Sequence, residues 1–139
     1  MISIEVLKVG IVSCSGEAVC EGTLSRIACR SVLDDLRPAE TVTICLPLFL
    51  AGGKEEREFA ARYPTITVDG CEKLCAQKST ERLSGKPARS ILIPEILKKH
   101  GIQPPTSLRN LSPEEKASAQ LVAEEIARAV DEILNGTEG

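Results

Sequence analysis

Four short runs of apolar and β-branched residues are spaced along the chain. The runs are Val9 to Ser13, Thr41 to Leu46, Thr65 to Val68 and Ser90 to Ile93. Their length and their rich content of Val, Ile and Thr are typical of buried strands. The pattern therefore predicts four strands.

Between the strands, apolar residues recur at helical spacing. A stripe from Leu24 to Leu36 predicts a helix that ends before Pro38, since proline interrupts helical hydrogen bonding. Shorter helices are expected over residues 54–63, 71–83 and 94–100, and residues 47–53 are expected to form a loop. The regular alternation of strand and helix is the pattern of βαβ units.

The last predicted helix, about residues 112–135, has a marked beginning. Ser112-Pro113-Glu114-Glu115 is a capping box with proline at the first helical position. Apolar residues from Ala119 to Leu134 then form one stripe, which is expected to pack on the sheet.

These elements predict an α/β fold over residues 1–139 as a single domain. Right-handed crossovers place helices on both faces of a mostly parallel four-stranded sheet, which gives a three-layer sandwich. By analogy with flavodoxin-like and Rossmann-like folds, the strand order is expected to be 2-1-3-4.

Cysteines follow three of the four strands. Cys14 comes after the first strand, Cys45 follows Ile44 in the second, and Cys71 comes two residues after the third. If neighbouring parallel strands end at one edge of the sheet, these thiols converge there, at the edge where open α/β sheets place their ligand sites. The sequence thus predicts a thiol-rich site.

Cys75 adds a second thiol four residues after Cys71, at a spacing that would put both on one face of a helix. The N-terminus of a helix favours thiolate, the form that binds metal or attacks a substrate. Asp69 is interpreted as a cap for this helix, with Gly70 supplying a turn. Burial of Cys75 as a small apolar residue is the alternative.

Composition and charge exclude several classes of function. Aromatic residues make up only 2% of the chain, the net charge is −3, and Lys and Arg are scattered, so a nucleic-acid surface is not expected.

The apolar stretch Ile44 to Ala51 is too short to span a bilayer and contains Pro47. Residues 1–8 lack the features of a signal peptide, and a cytoplasmic location is therefore expected.

The remaining candidates for chemistry are weaker. A cysteine phosphatase needs an arginine six residues after its nucleophilic cysteine, and Cys14 has none. Cys20 and Arg26 have this interval, but Cys20 lies inside the loop and not at the end of a strand, so a phosphatase loop is not expected there either. The role of Cys20 stays open: it could be an extra metal ligand, a resolving thiol or a packing residue. Cys29 is expected to be structural or an idle surface thiol. His100, the only histidine, is expected to be exposed at a helix end.

At these residues the chain resembles the DGC-domain family, whose members are described as zinc-binding. The resemblance covers roughly residues 8–100 and rests on Asp69-Gly70-Cys71 with Cys75, on Cys14-Ser15-Gly16, and on Cys45 with the stretch Leu46 to Gly53. It implies that Cys14, Cys45, Cys71 and Cys75 are the zinc ligands. It implies no established reaction.

Three hypotheses follow. The first is a zinc-binding protein with a cysteine-thiolate site and a structural, sensing or metal-handling role. The second is a thiol-dependent redox or sulfur-transfer enzyme that uses Cys14 or Cys71. The third is an iron–sulfur protein with the same four ligands. Protein partners and oligomeric state stay open.

Overall fold

The computed structural model describes residues 8–14, 16 and 18–136. Its centre is a four-stranded parallel sheet with the order β2-β1-β3-β4, as predicted. The strands are β1 (Val9–Ser13), β2 (Thr41–Thr43), β3 (Thr65–Asp69) and β4 (Arg89–Leu92). The absence of a signal peptide was inferred from residues 1–8, and residues 1–7 of this segment lie outside the described part of the chain.

Helices connect the strands and cover both faces of the sheet. They are α1 (Cys20–Ser31), α2 (Leu46–Leu50), α3 (Lys54–Arg57), α4 (Phe59–Arg62), α5 (Cys75–Leu83), α6 (Ile93–Lys99) and α7 (Pro113–Leu134). A π-helical segment, Val32–Leu36, continues α1 before Pro38. None of the helices in the described residues is long and apolar enough to cross a membrane.

The two faces of the sheet carry separate hydrophobic clusters, because side chains alternate along each strand. Ile11 and Ile66 point to one face, where α1, α6 and α7 supply the larger part of the core. Val12 points to the other face and packs with Phe59 and Ala76. The expected α/β flavodoxin-like architecture, with helices on both sides of the sheet, is therefore confirmed.

The long helix α7 begins where the sequence predicts. The Ser112 hydroxyl accepts a hydrogen bond from the Glu115 backbone N–H, and the Glu115 carboxylate accepts one from the Ser112 N–H. Glu115 also accepts a hydrogen bond from the Thr106 N–H at 2.7 Å. These backbone hydrogen bonds lower the pKa of Glu115 to about 2.

The structure differs from expectation at three helices. The helix expected over residues 54–63 is divided at Glu58 into α3 and α4. The stretch expected to be a loop contains α2, which has Pro47 in its first turn, a position where proline needs no hydrogen-bonding N–H. The helix expected to start at Cys71 starts at Cys75 instead, because residues 71–74 form a turn and Leu74 adopts a left-handed conformation with φ of 54°.

Candidate thiol site

Three cysteines line one small cavity at the carboxyl edge of β1 and β3. Cys14, Cys71 and Cys75 border this space of about 190 Å³, together with Gly70 and Asp69. We call it the thiol cavity. Its remaining lining residues are Gly16, Ala18, Val19, Gly22 and Lys73. Thiols from two distant segments therefore line one cavity at this edge, and their assignment as metal ligands stays a prediction.

Pairing between β1 and β3 fixes the position of Cys14. Ser13 lies opposite Val68 in the parallel register, and the Cys14 backbone N–H donates a hydrogen bond to the Val68 carbonyl at 2.9 Å. The Cys14 Sγ in turn accepts a hydrogen bond from the Gly70 N–H at 3.3 Å. Backbone groups of β3 and of the turn after it therefore hold both the backbone N–H and the sulfur of Cys14.

A buried serine on α1 supports the same sulfur. Ser25 Oγ donates its only proton to the Gly22 carbonyl at 2.7 Å and lies 3.5 Å from Cys14 Sγ. Since a hydroxyl has one proton, the thiol of Cys14 must be the donor toward Ser25. Ser13 Oγ lies 3.1 Å from the same oxygen of Ser25.

The turn after β3 packs against the start of α1 at the backbone level. A Cβ atom at Gly70 would lie 2.6 Å from the Gly22 nitrogen and 2.7 Å from the Glu21 carbonyl carbon. A Cβ atom at Gly22 would lie 2.1 Å from the Gly16 carbonyl oxygen. Only glycine fits such close backbone approaches, which bring the segments that carry Cys14 and Cys71 together.

Asp69 caps α5 and shapes the turn that carries Cys71. Its two carboxylate oxygens accept hydrogen bonds from the backbone N–H groups of Ala76, at 2.7 Å, and Gln77, at 3.1 Å. Burial raises the pKa of Asp69, and these two hydrogen bonds oppose the rise. The expected role of Asp69 as a cap is confirmed.

The cysteines differ in their exposure and place. Cys71 is half-buried in the turn, and Cys75 is exposed at the first position of α5. Cys45 is exposed between β2 and α2, and it does not line the thiol cavity. Its assignment as a fourth ligand stays a prediction.

Cys20 and Cys29 lie on α1 and do not line the thiol cavity. Cys20 is the first residue of the helix, so Cys20 and Arg26 lie within one helix and do not enclose a phosphate-binding loop. Cys29 is buried in the core, and burial raises its pKa to about 12 despite a hydrogen bond with Ser13. Its expected structural role is thus supported.

His100 is exposed at the end of α6, as expected. Its Nε2 lies 2.9 Å from the Glu125 carboxylate, which also pairs with Arg128 and Lys99. The sequence provided no signal for this partner on α7. His100 and Glu125 line a different cavity, which shares no lining residue with the thiol cavity.

The donor chemistry of the thiol cavity suits a soft or borderline metal such as zinc, since thiolates prefer these ions to Mg²⁺ or Ca²⁺. The geometry is open rather than closed. Across residues 8–14, 16 and 18–136, no three His, Cys, Asp or Glu side chains are already arranged around one point. A bound ion would have to draw the thiols closer together.

Sequence interpretation missed the residues that support the cysteines. Ser25, Gly22 and the left-handed Leu74 contribute to the site through buried or backbone interactions. The sequence carried no signal for Ser25, because its burial beside the equally buried Thr23 is visible only in the structure.

Comparison with known proteins gives one informative result. No curated protein and no solved structure matches the chain. A family model, that of the DGC domain, matches residues 10–133, a span that includes all six cysteines and most of α7. This match extends the sequence resemblance from residue 100 to α7. The chain belongs to the DGC-domain family.

Proposed function

We propose that this protein binds one zinc ion at the thiol cavity through the thiolates of Cys14, Cys71 and Cys75. The observation that carries the proposal is that these three thiols, from two segments more than fifty residues apart, border one cavity of about 190 Å³. Membership of the DGC-domain family is compatible with metal binding.

Positively polarised groups border the cavity. Cys75 stands at the N-terminus of α5, where the helix dipole stabilises negative charge, and Lys73 also lines the cavity. The Gly70 N–H already donates to Cys14 Sγ and would continue to do so after the thiol loses its proton. A bound zinc ion would supply Lewis acidity and lower the pKa of a coordinated water.

The fold supports a sensing or metal-handling role over a structural one. The two core clusters are built mainly from aliphatic side chains of the sheet and helices, and Cys71 and Cys75 belong to neither. Zinc would therefore not be needed to hold the core together, unlike the ion of a zinc finger. Exposure of Cys75 leaves the ion accessible to exchange.

We also propose a cytoplasmic location, with a metal ion and no nucleic acid as partner. All six cysteines are free thiols in the structure, a state that the reducing cytoplasm maintains. The net charge of −3 and scattered basic residues support the absence of nucleic-acid binding.

The test is metal content and thiol protection, measured on the full chain purified anaerobically without added metal or chelator and then equilibrated with zinc. We expect about one zinc ion per chain, with the thiols of the cavity protected from a thiol reagent until a chelator is added. The Cys71→Ser variant should lose the ion, and Cys20→Ser should retain it as the matched control.

Cys45→Ser distinguishes two forms of the site. If it retains zinc, three thiolates suffice and the fourth position is open. If it loses zinc, Cys45 joins the site as the family resemblance implies. Full zinc content in Cys71→Ser, or no zinc retained by the wild type, would contradict the proposal.

A second candidate, a thiol-dependent enzyme, is favoured by one observation. Cys14 borders not only the thiol cavity but also a second cavity of about 460 Å³, which is large enough for a small molecule. Under this hypothesis Cys14 should alkylate much faster than Cys45, although Cys45 is more exposed. Equal or slower alkylation of Cys14 would remove the candidate.

Strong visible absorbance of the anaerobic protein would instead indicate an iron–sulfur cluster.

A further inference from the structure

Cys71 and Cys75 flank a three-residue loop that reverses the direction of the chain. Residues 71–74 form a turn, which is closed by a hydrogen bond from the Leu74 N–H to the Cys71 carbonyl at 3.1 Å. Leu74 itself is left-handed, with φ of 54° and ψ of 46°. A turn that ends in a left-handed residue is a common three-residue loop of hairpins, in which the two flanking residues face each other. Cys71 and Cys75 occupy these flanking positions.

Asp69 closes the same segment from outside. Its carboxylate stands two residues before Cys71 and accepts a hydrogen bond from the N–H of Ala76, the residue after Cys75, at 2.7 Å. A second hydrogen bond comes from the Gln77 N–H at 3.1 Å. The residues before and after the two cysteines are therefore in direct contact, which independently shows that the chain returns on itself between them.

The conformation of Leu74 is unusual for its residue type. Among residues 8–14, 16 and 18–136 it is the only one other than glycine with a positive φ. The β-carbon makes left-handed backbone unfavourable, and such strain persists where the surrounding structure imposes it, commonly at functional sites. In this protein the strained residue is the one that brings Cys75 back toward Cys71.

The two thiols also share one space. Both border the thiol cavity of about 190 Å³. Residues that face each other across a hairpin have β-carbons about 4.5–5.5 Å apart, and a disulfide needs roughly 3.5–4.5 Å. The third thiol of the cavity is less available, because Cys14 Sγ accepts the Gly70 N–H and lies 3.5 Å from Ser25 Oγ. The geometry therefore favours a bond between Cys71 and Cys75.

We propose that Cys71 and Cys75 form a disulfide when a hydroperoxide reaches the thiol cavity, and that this bond expels the zinc ion. The second step rests on the proposed zinc site, whereas the first does not. Cys75 is exposed at the first position of α5 and Cys71 is half-buried, so Cys75 meets the oxidant first. Once the two are linked, Cys14 is the single thiol left in the cavity, too few ligands for zinc.

The hydroperoxide is the only reagent that the reaction needs. The Cys75 thiolate attacks one oxygen, the O–O bond breaks, and Cys75 becomes a sulfenic acid while the other oxygen leaves as water or an alcohol. The Cys71 thiolate then attacks the Cys75 sulfur, so that the S–S bond forms and the S–O bond breaks to release water. The two thiols lose two electrons to the peroxide, and their two protons end on the departing oxygens.

A small thiol reverses the reaction by exchange, which makes the disulfide transient in a reducing cytoplasm. The modification would thus couple the zinc content of the protein to the level of peroxide. It adds a control on the proposed site and leaves its ligands unchanged.

The first measurement uses the reduced, metal-free full chain, which is treated with equimolar hydrogen peroxide, blocked with N-ethylmaleimide and digested with trypsin. Trypsin cleaves after Arg62, Lys73 and Lys78, so a disulfide between Cys71 and Cys75 holds peptides 63–73 and 74–78 together. We expect this linked pair as the main product, with four of the six thiols still free. Linkage of Cys14, a dimer between chains, or six free thiols would overturn the proposal.

Variants test the order of the two steps. In C71S the sulfenic acid at Cys75 has no partner, so the trapping reagent dimedone should label peptide 74–78. C75S should give much less label on peptide 63–73, and equal labelling would contradict the first attack by Cys75. C20S is the matched control and should form the linked pair as the wild type does. The circular dichroism of each variant checks that it is folded.

The release step is measured on zinc-loaded protein treated with the same peroxide in the presence of a chromophoric chelator. We expect about one zinc ion released per linked pair, and rebinding after reduction. Zinc that stays bound to the linked protein would overturn this step. The zinc content of untreated protein tests the proposed function separately, and the linked peptides of the metal-free chain decide the disulfide whether or not zinc binds.

Discussion

The backbone N–H of Gly70 donates a hydrogen bond to the Sγ of Cys14 at 3.3 Å, across 56 residues of sequence. This contact joins the end of β1 to the turn after β3, the two places from which the thiols of the cavity come. Because β1 and β3 are neighbours in the sheet, the turn is held next to Cys14 by the sheet itself.

Gly70→Ala should destabilise the protein by about 2 kcal/mol or more, since its Cβ would lie 2.6 Å from backbone that cannot easily move. The matched control is Gly85→Ala, whose Cβ would lie 3.5 Å from Ala60 Cβ, an ordinary contact. Urea unfolding measures both free energies. If the two variants lose equal stability, the close approach of Gly70 to Gly22 is not the cause.

Asp69→Asn should lower the free energy of unfolding by about 1–2 kcal/mol, because an amide oxygen replaces only one of two carboxylate acceptors at the start of α5. Hydrogen exchange at the Ala76 and Gln77 amides should also become faster. Asp35→Asn, at an exposed position, is the control and should change stability by less than about 0.5 kcal/mol. Unchanged exchange at both amides would refute the capping role.

Cys29 should make the protein less stable in alkali. Burial raises its pKa from 9.0 to about 12, so the folded state keeps a proton that the unfolded state loses. The stabilisation that comes from keeping Cys29 protonated is complete below pH 9. It is lost as the pH rises toward 12, and the free energy of unfolding falls by at most about 1.4 kcal/mol per pH unit. Urea unfolding from pH 8 upward measures the slope.

Cys29→Ala removes this titration, so its free energy of unfolding should decline less steeply with pH than that of the wild type. The space left by the missing sulfur should lower its stability at every pH. Cys45→Ala, at an exposed thiol, serves as the control and should decline as the wild type does. Parallel curves for the wild type and Cys29→Ala would show that burial of Cys29 has no such effect.

Glu115 should contribute to acid sensitivity. Its pKa is lowered to about 2 by backbone hydrogen bonds from Ser112 and Thr106. The stabilisation is present above the ordinary pKa of 4.5 and is lost as the pH falls toward 2. The carboxyl carbon shift, followed by NMR, should titrate near pH 2, and Glu115→Gln should lose less thermal stability than the wild type between pH 4.5 and 2. A midpoint near 4.5 would contradict the capping box.

The fold was predictable because its signals are local and repeated. Apolar runs separated by helical periodicity specify βαβ units, and right-handed crossovers leave few strand orders to consider. The capping box at Ser112 fixed the start of α7. The helix α2 was missed because its five residues are too few to show a period, and only Phe49 among them is buried.

The site was predicted in part. The meeting of Cys14 with Cys71 and Cys75 followed from strand adjacency, and the structure places all three around one cavity. Cys45 was expected to converge with them because β2 neighbours β1, but β2 ends at Thr43 and α2 begins at Leu46, so that the thiol between them faces solvent. The sequence pattern held no signal for this early end.

The direct pairing of β1 with β3, and the cover that α7 provides, impose an order on events during synthesis. All six cysteines precede residue 76, whereas α7 contributes its buried residues from Ala119 to Ile133. On the ribosome, every thiol therefore emerges before the helix that completes the larger core cluster. Cys29 lies in that cluster, so its thiol is open to oxidation in the nascent chain until α7 docks, whereas Cys45 and Cys75 stay exposed in the folded protein.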